Sequence, residues 1–256
     1  MISTTDAIVL HTRRFRESSK IVTLYTREHG KVGVVARGAM QTKSRMATLQ
    51  PMAVVSAVIY RREGRELQNL SKVEPIERHP RIAESLERMS AGLTIVELVN
   101  ATMHDEERHD ELFDAIVEAL RALDGEGNEQ IVLVWFLTRL AHLLGYTARA
   151  GGCGVCDELP SSDGGTIAYS IPMGAPLCSE HRESGSVWPI APDVYELLER
   201  LQTVSAVEAA TLRIDETSAS SLNDVLVAFV RYHVEGLRRL NVSTVMGKVL
   251  RTMPTE

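Results

Sequence analysis

Two short motifs in the second half of the chain combine residues that bind metal ions. Cys153 and Cys156 form a Cys-x-x-Cys pair, and 21 residues separate it from a Cys-x-x-His pair, Cys178 and His181. Three thiolates and one imidazole are a ligand set that Zn²⁺ accepts, and two such pairs are typical of a closed tetrahedral site with a structural role. The spacing therefore predicts one structural Zn²⁺ in a knuckle at about residues 150–185.

Three other interpretations of these residues remain open. A Cys-x-x-Cys pair alone is also a redox motif, but no βαβ pattern surrounds this one. The run His181-Arg182-Glu183 matches the His-x-Glu of zinc deaminases. Those enzymes also need a Pro-Cys-x-x-Cys pair and an open metal position, whereas here the proline is missing and Cys178 would close the position. In the simplest alternative, His181 is a surface residue and the cysteines are incidental.

A long apolar segment precedes the knuckle and predicts the helix on which it is mounted. Residues 131–145 are apolar almost all the way round a helix, which is typical of a buried one. The segment is shorter than a membrane span and contains Arg139 and His142. Apolar residues at helical spacing continue the pattern before and after it. The predicted further helices cover residues 82–100, 110–123, 192–204 and 217–240, with the hydroxyl run 217–220 capping the last.

The first eighty residues have a different pattern, that of short strands. Apolar and β-branched residues alternate in five runs with no helical segment between them, which predicts a small closed β-barrel such as the OB-fold. The fold class is therefore α+β, with a barrel domain at residues 1–79 and an all-helical domain at residues 80–256 that carries the knuckle. The predicted strands cover residues 5–12, 20–26, 31–37, 52–60 and 67–75.

The charge of the chain is distributed unevenly between these two parts. Residues 1–80 carry 14 Lys and Arg against 7 Asp and Glu, although the whole chain has a net charge of −6. No carboxylate occurs between Glu28 and Glu63, a stretch that contains six Lys and Arg. Ordinary solvated surfaces mix both signs, so this stretch favours a nucleic-acid-binding face over a merely soluble one. The candidate DNA-binding residues are Arg13, Arg14, Arg16, Lys20, Arg37, Lys43 and Arg45.

Several short segments of the barrel region also resemble a known family. The order and spacing of Glu17-Ser18-Ser19-Lys20, residues 26–31, Ala36-Arg37-Gly38-Ala39, Lys43-Ser44 and Leu49-Gln50-Pro51 are similar to the N-terminal domain of the RecO family of bacterial DNA repair proteins. The resemblance extends over the whole barrel. It implies an N-terminal OB-fold, a helical domain and, as in many members, a zinc knuckle. The fourth ligand in that family is often a cysteine, whereas His181 stands at this position here.

The resemblance also implies a function and a set of partners. Members of the family bind single- and double-stranded DNA, anneal complementary strands, and act with RecR to load RecA onto strands coated by single-strand-binding protein, whose C-terminal tail they contact. We therefore expect a recombination mediator without catalytic residues. A zinc-dependent nucleic-acid-modifying enzyme and an adaptor whose barrel binds protein are the alternatives.

The N-terminal residues and the cysteine content indicate a location. No basic start followed by an apolar run is visible at the N-terminus, so no export signal is expected. Three cysteines cannot all pair in disulfides, and in the cytoplasm metal binding is the commoner role for them. We expect a cytoplasmic protein that is associated with the nucleoid and has no membrane partner.

Overall fold

The computed structural model describes residues 1–41, 44–162, 165–182, 187–234 and 237. The chain forms two compact units, one containing residues 1–124 and the other Gly125–Leu240. In the described part, no helix is both long enough and apolar enough to cross a bilayer. Two helices that follow the barrel belong to the first unit. The domain boundary expected between residues 79 and 80 stays a prediction.

The first unit is built on a closed five-stranded barrel with the strand order β1–β2–β3–β5–β4, in which β4 pairs again with β1. Neighbouring strands are antiparallel except for β3 and β5, which are parallel. This is the OB-like barrel that the sequence predicts, and each of the five predicted strands is present. The strands are β1 (Ile2–Phe15), β2 (Ser19–Thr26), β3 (Gly30–Ala36), β4 (Val54–Tyr60) and β5 (Leu67–Glu77).

Apolar side chains at every second position of the strands fill the core of the barrel. In β3, Val32 and Val34 are buried in the barrel core, whereas Val35 lies on the other face and is half-buried. The same period of two places Val22 and Leu24 of β2 in that core. Each such side chain contributes roughly 1.5–3 kcal/mol when fully buried, so the pattern fixes the register of the strands.

Two helices complete the first unit. The first predicted helix begins later than expected, because residues Pro80–Glu84 form a 3₁₀ turn and α1 spans Leu86–Thr102. The hydroxyl of Ser85 accepts a hydrogen bond from the N–H of Arg88 at 3.2 Å and so caps α1. α1 packs against β1, and α2 (Asp110–Asp124) packs against α1. An acidic connector, residues 103–109, joins the two helices.

The second unit is organised around α3 (Glu129–Leu143). All residues from Ile131 to Thr138 are buried, as the apolar segment predicts, and α3 packs against α5 and α6. The indole N–H of Trp135 donates a hydrogen bond to the carbonyl of Val204 at 2.9 Å, which satisfies the one polar atom of this buried ring. The remaining helices are α4 (Pro192–Leu201), α5 (Ala206–Ala210) and α6 (Glu216–His233).

The start of α6 differs from the prediction. The predicted cap in the hydroxyl run 217–220 is wrong, because the carboxylate of Asp215 accepts the hydrogen bond from the N–H of Ser218 at 2.9 Å. A carboxylate at this position also interacts favourably with the helix dipole. The described helix ends at His233. The predicted continuation to Leu240 falls mostly outside the described residues.

A small antiparallel sheet in the second unit was not predicted. Its strands are β6 (Ile167–Ser170), β7 (Ala175–Leu177) and β8 (Trp188–Ile190), in the order β7–β6–β8. Cys178 directly follows β7, so this sheet positions the second half of the predicted metal motif.

Candidate metal centre and basic end of the barrel

The first cysteine pair lies in a tight turn. The carbonyl of Cys153 accepts a hydrogen bond from the N–H of Asp157 at 2.9 Å, and Asp157 has a φ of +64°. A Cβ on Gly152 would stand 2.2 Å from the carbonyl oxygen of Asp157, so this close approach requires glycine. The turn therefore folds the Cys156 end of the motif back toward Cys153.

The second pair forms a matching turn at the end of β7. The N–H groups of His181 and Arg182 both donate to the carbonyl of Cys178 at 3.1 Å, which brings the imidazole back to the thiol. A hydrogen bond of 2.9 Å from the N–H of Gly154 to the carbonyl of Pro176 ties this turn to the first one. Two backbone turns thus present four side chains to one point.

The four predicted ligands lie together. One donor atom from each of Cys153, Cys156, Cys178 and His181 falls within 4.8 Å of all the others. The Sγ atoms of Cys156 and Cys178 are 3.6 Å apart. Nδ1 of His181 lies 3.1 Å from Sγ of Cys178 and 3.8 Å from Sγ of Cys153. Cys153 and Cys178 are buried, whereas Cys156 is exposed.

These separations fit a tetrahedral zinc ion. Zn–S bonds of about 2.3 Å and Zn–N bonds of about 2.0–2.1 Å require S···S separations of about 3.8 Å and S···N separations of about 3.6 Å. The observed S···S separation of 3.6 Å is close to the first value, and the two S···N separations of 3.1 and 3.8 Å lie on either side of the second. Three soft thiolates and an imidazole are also the donor set that zinc prefers. The arrangement can hold one metal ion with no position left for a substrate.

Backbone hydrogen bonds in the cluster favour a thiolate at Cys153. Burial raises the pKa of Cys153, but hydrogen bonds from the backbone of Cys178, Cys156 and Val155 outweigh it and lower this pKa to about 6. At Cys156, the backbone of Glu158 lowers the pKa, whereas burial and the neighbouring thiols of Cys178 and Cys153 raise it to about 11. The site thus supplies a ready anion on its buried side.

The second candidate site is the end of the barrel at which β1 turns into β2. In the β1–β2 register, Arg14 lies directly opposite Lys20 and Phe15 lies opposite Ser19. Arg14 is exposed, and the ammonium of Lys20 donates to the carbonyl of Leu49 at 3.3 Å. In the described part of the chain, no carboxylate forms an ion pair with either of them.

The loop after β3 joins the same end. Lys20 pairs with Ala36, so Arg37, which is exposed, follows at the edge next to the β1–β2 hairpin. The N–H of Met40 donates to the carbonyl of Ser18 at 3.1 Å and holds the loop against that hairpin. We call this set the basic end; its described members are Arg13, Arg14, Arg16, Lys20 and Arg37.

At the opposite end of the barrel, two cations are paired with carboxylates. The carboxylate of Asp105 lies 3.7 Å from the ammonium of Lys31, and that of Glu106 lies 2.5 Å from the guanidinium of Arg61. Both acids belong to the acidic connector, which passes so close to β3 that a Cβ on Gly30 would stand 2.0 Å from the carbonyl oxygen of Glu107. Within the carboxylate-free stretch, Lys31 and Arg61 are therefore ion-paired at this end, whereas no described carboxylate pairs with Arg37 at the basic end.

Comparison with known proteins decides the family. Residues 1–79 match the family described as "Recombination protein O N terminal", and residues 83–241 match "Recombination protein O C terminal". The chain belongs to the RecO family. Three of its relatives carry the name DNA repair protein RecO. The relative from Pelotomaculum thermopropionicum is 30% identical over 232 residues, covering 90% of this chain and 88% of its own length.

The other two RecO relatives show how far the likeness extends. The protein from an Exiguobacterium species is 28% identical over 252 residues, which is 98% of each chain. The protein from Salinibacter ruber is 41% identical over 143 residues, so that match spans only about half of either chain, 55%. The RecO resemblance in the barrel residues is thus confirmed, and it extends over the helical region.

The structure brings most of the predicted DNA-binding residues of this RecO-family chain to one place. Five of the seven form the basic end. Lys43 lies outside the described residues, and the side chain of Arg45, the first residue of a short 3₁₀ helix at Arg45–Thr48, is not described.

The direct pairing of Arg14 with Lys20 was missed by sequence analysis. A signal for it was available. The three residues between Phe15 and Ser19 are the length of a common hairpin loop, which sets the cross-strand register.

Proposed function

We propose that this chain is a recombination mediator of DNA repair that binds and anneals single-stranded DNA with the basic end of its barrel. The observation that carries the proposal is the unneutralised pair of Arg14 and Lys20. Directly opposed like charges destabilise an antiparallel sheet, and mixed-sign pairing is the common alternative on a surface. A polyanion bound across the pair relieves this repulsion, so the arrangement suits a phosphate backbone.

The residues around this pair support DNA binding without sequence specificity. Arg13, Arg16 and Arg37 add cations that no described carboxylate neutralises. Lys and Arg contacts to phosphates give affinity and orientation without reading the bases. Annealing requires contacts to the phosphates and not to the base edges, because the base edges must stay free to find their complement. The same cations bind duplex DNA, so both single- and double-stranded DNA are expected ligands.

The partners follow from the family. We propose that the chain acts with RecR, contacts the C-terminal tail of single-strand-binding protein, and so promotes loading of RecA in the cytoplasm, at the nucleoid. The family membership and the name of its relatives, DNA repair protein RecO, support this. The surfaces for RecR and for that tail are separate questions from the DNA contact described above.

For the metal centre we propose one structural Zn²⁺ bound by Cys153, Cys156, Cys178 and His181. The ion would cross-link the two turns that carry these residues, and its binding free energy would add to that of folding. The four donors surround one point, and a four-ligand site leaves no position for a reacting water. This favours a structural role over the alternative of a zinc-dependent nucleic-acid-modifying enzyme.

The proposed function is tested by binding and turnover together. Fluorescence anisotropy with a labelled oligothymidine at several salt concentrations should show binding that weakens as salt rises. Incubation with single- and double-stranded DNA and Mg²⁺ should leave both intact and undeaminated. Absence of salt-sensitive binding would favour a protein-binding adaptor, and turnover that disappears in a Cys178→Ser variant would favour the enzyme.

A further inference from the structure

An aromatic ring stands at the tip of the basic end. Phe15 is the last residue of β1 and is half-buried. Its cross-strand partner is Ser19, whose small side chain cannot cover a ring. In the described part of the chain, the ring of Phe15 stacks on no other aromatic side chain. The barrel is poor in aromatic residues, so the position of this one among the five cations of the basic end calls for a physical explanation.

The residue that follows has an unusual backbone. Arg16 has a φ of +55°, in the left-handed region that favours glycine, yet it carries a long charged side chain. Its guanidinium carbon lies 5.2 Å from the centroid of the Phe15 ring. This is cation–π range, and Arg16 has no ion-pair partner among the described residues. The turn thus holds a cation over the ring at the point where β1 ends.

We infer that Phe15, together with Arg16, forms a stacking site for one unpaired nucleobase. The inference rests on the proposed function and adds a non-electrostatic contact to it. A ring flanked by cations is the combination that proteins use on single strands, where a base stacks on the ring while Lys and Arg hold the neighbouring phosphates. Arg13 lies two residues before Phe15 in β1, on the same face of the strand, and supplies such a cation.

The stacking site would also give the basic end a preference for single-stranded over double-stranded DNA. In a duplex both faces of each base are covered by its neighbours, so the ring reaches no base without unstacking. Phosphate contacts are made to single and double strands alike. The cations therefore set overall affinity, whereas Phe15 discriminates in favour of the single strand. One stacked base is compatible with annealing, because the remaining bases stay free.

The test compares Phe15→Leu, which keeps an apolar side chain of similar size without a π-face, with Phe15→Tyr, which keeps the face. Binding is measured by anisotropy with labelled oligothymidine and with a labelled duplex of equal length, over a series of salt concentrations. We expect Phe15→Leu to weaken single-strand binding about tenfold, with duplex binding and the salt slope unchanged. Phe15→Tyr should bind as the unmodified chain does.

The outcomes separate this inference from the proposed function. Equal losses on single strand and duplex, or no loss at all, would overturn the stacking site while leaving the phosphate contacts intact. Failure of the unmodified chain to bind either DNA in a salt-sensitive way would overturn the proposed function itself. If Phe15→Leu does not fold, the unmodified chain still decides: it should quench 2-aminopurine placed in a single strand, and an unchanged signal at saturating protein would overturn the inference.

Discussion

Arg14 and Lys20 face each other across the β1–β2 ladder with no carboxylate partner in the described part of the chain. At the other end of the same barrel, Lys31 and Arg61 are each paired with an acid of the connector. The chain thus leaves two opposed cations without an acid partner at one end and pairs two cations with acids at the other. A phosphate backbone would supply the missing anions, so the proposed DNA binding would account for the difference.

The metal centre gives the first prediction. His181→Ala should lose zinc and lower the melting temperature, because a ligand to the ion disappears and the binding free energy is part of folding. His181→Cys should keep one zinc per chain, since a fourth thiolate completes the same tetrahedron. Metal analysis of the purified variants measures both. His104→Ala removes an exposed histidine and serves as the control; unchanged zinc in His181→Ala would mean that another residue is the fourth ligand.

The contact between the acidic connector and β3 gives the second prediction. Gly30 and Gly64 have similar left-handed backbones, with φ of +60° and +72°, but only a Cβ on Gly30 would collide with neighbouring atoms. Gly64→Ala should lower the free energy of unfolding by about 1–2 kcal/mol through backbone strain alone. Gly30→Ala should cost clearly more, because the backbone at Glu107 must move. Urea unfolding compares them, and equal losses would show that the connector does not pack there.

His29 gives a prediction about pH. Burial and then the positive charge of Arg61 lower its pKa below the ordinary value of about 6.5. Its neutral ring interacts with Ser3 and Arg61, at 2.8 and 2.9 Å. The folded state therefore binds the proton less well than the unfolded state, so this stabilisation is complete above pH 6.5 and is lost as pH falls from there through the folded-state pKa.

The pH effect is measured by urea unfolding between pH 7.5 and 5.5. The difference in unfolding free energy between the unmodified chain and His29→Gln should shrink as the solution is acidified. A difference that stays constant or grows toward low pH would contradict the lowered pKa. Because only the difference is used, protonation of other histidines cancels.

The alternation of apolar residues was sufficient to predict the barrel. It placed Val32 and Val34 inside and identified all five strands, because a period of two has one buried face whatever the remainder of the chain does. The buried α3 was equally visible, since a helix without a polar face has few alternatives. The cluster of four candidate metal ligands was predictable because ligand type and spacing are local in sequence.

The features that the sequence did not predict depend on residues far apart in the chain, or on a choice between neighbouring residues that can cap the same helix. The pairing of Arg61 with Glu106 joins residues 45 positions apart and has no local signal. The short α5 was overlooked, although Ser205 and Glu208 form a capping box whose Ser-x-x-Glu pattern was there to be read. The cap of α6 was assigned to hydroxyls when Asp215 stood two residues earlier.

Salt dependence gives the fourth prediction. If all five described cations of the basic end each neutralise one phosphate, the log–log slope of single-strand affinity against salt should be about −3.5. Arg13→Ala with Arg37→Ala should bring it to about −2 and slow the annealing of complementary oligonucleotides, because two contacts are lost. A slope that the double variant leaves unchanged would place the phosphate contacts elsewhere on the chain.

The most direct measurement is a comparison of stability and DNA affinity in Arg14→Glu. This change places opposite charges across the β1–β2 ladder, so it should raise the free energy of unfolding by roughly 0.2–1 kcal/mol. It should also weaken binding to oligothymidine about tenfold, because a charge-assisted phosphate contact is replaced by repulsion. Arg65→Glu is the matched control, since Arg65 is an exposed arginine in the β4–β5 turn at the opposite end. A more stable Arg14→Glu that binds DNA as tightly as the unmodified chain would contradict a DNA-binding role for the basic end.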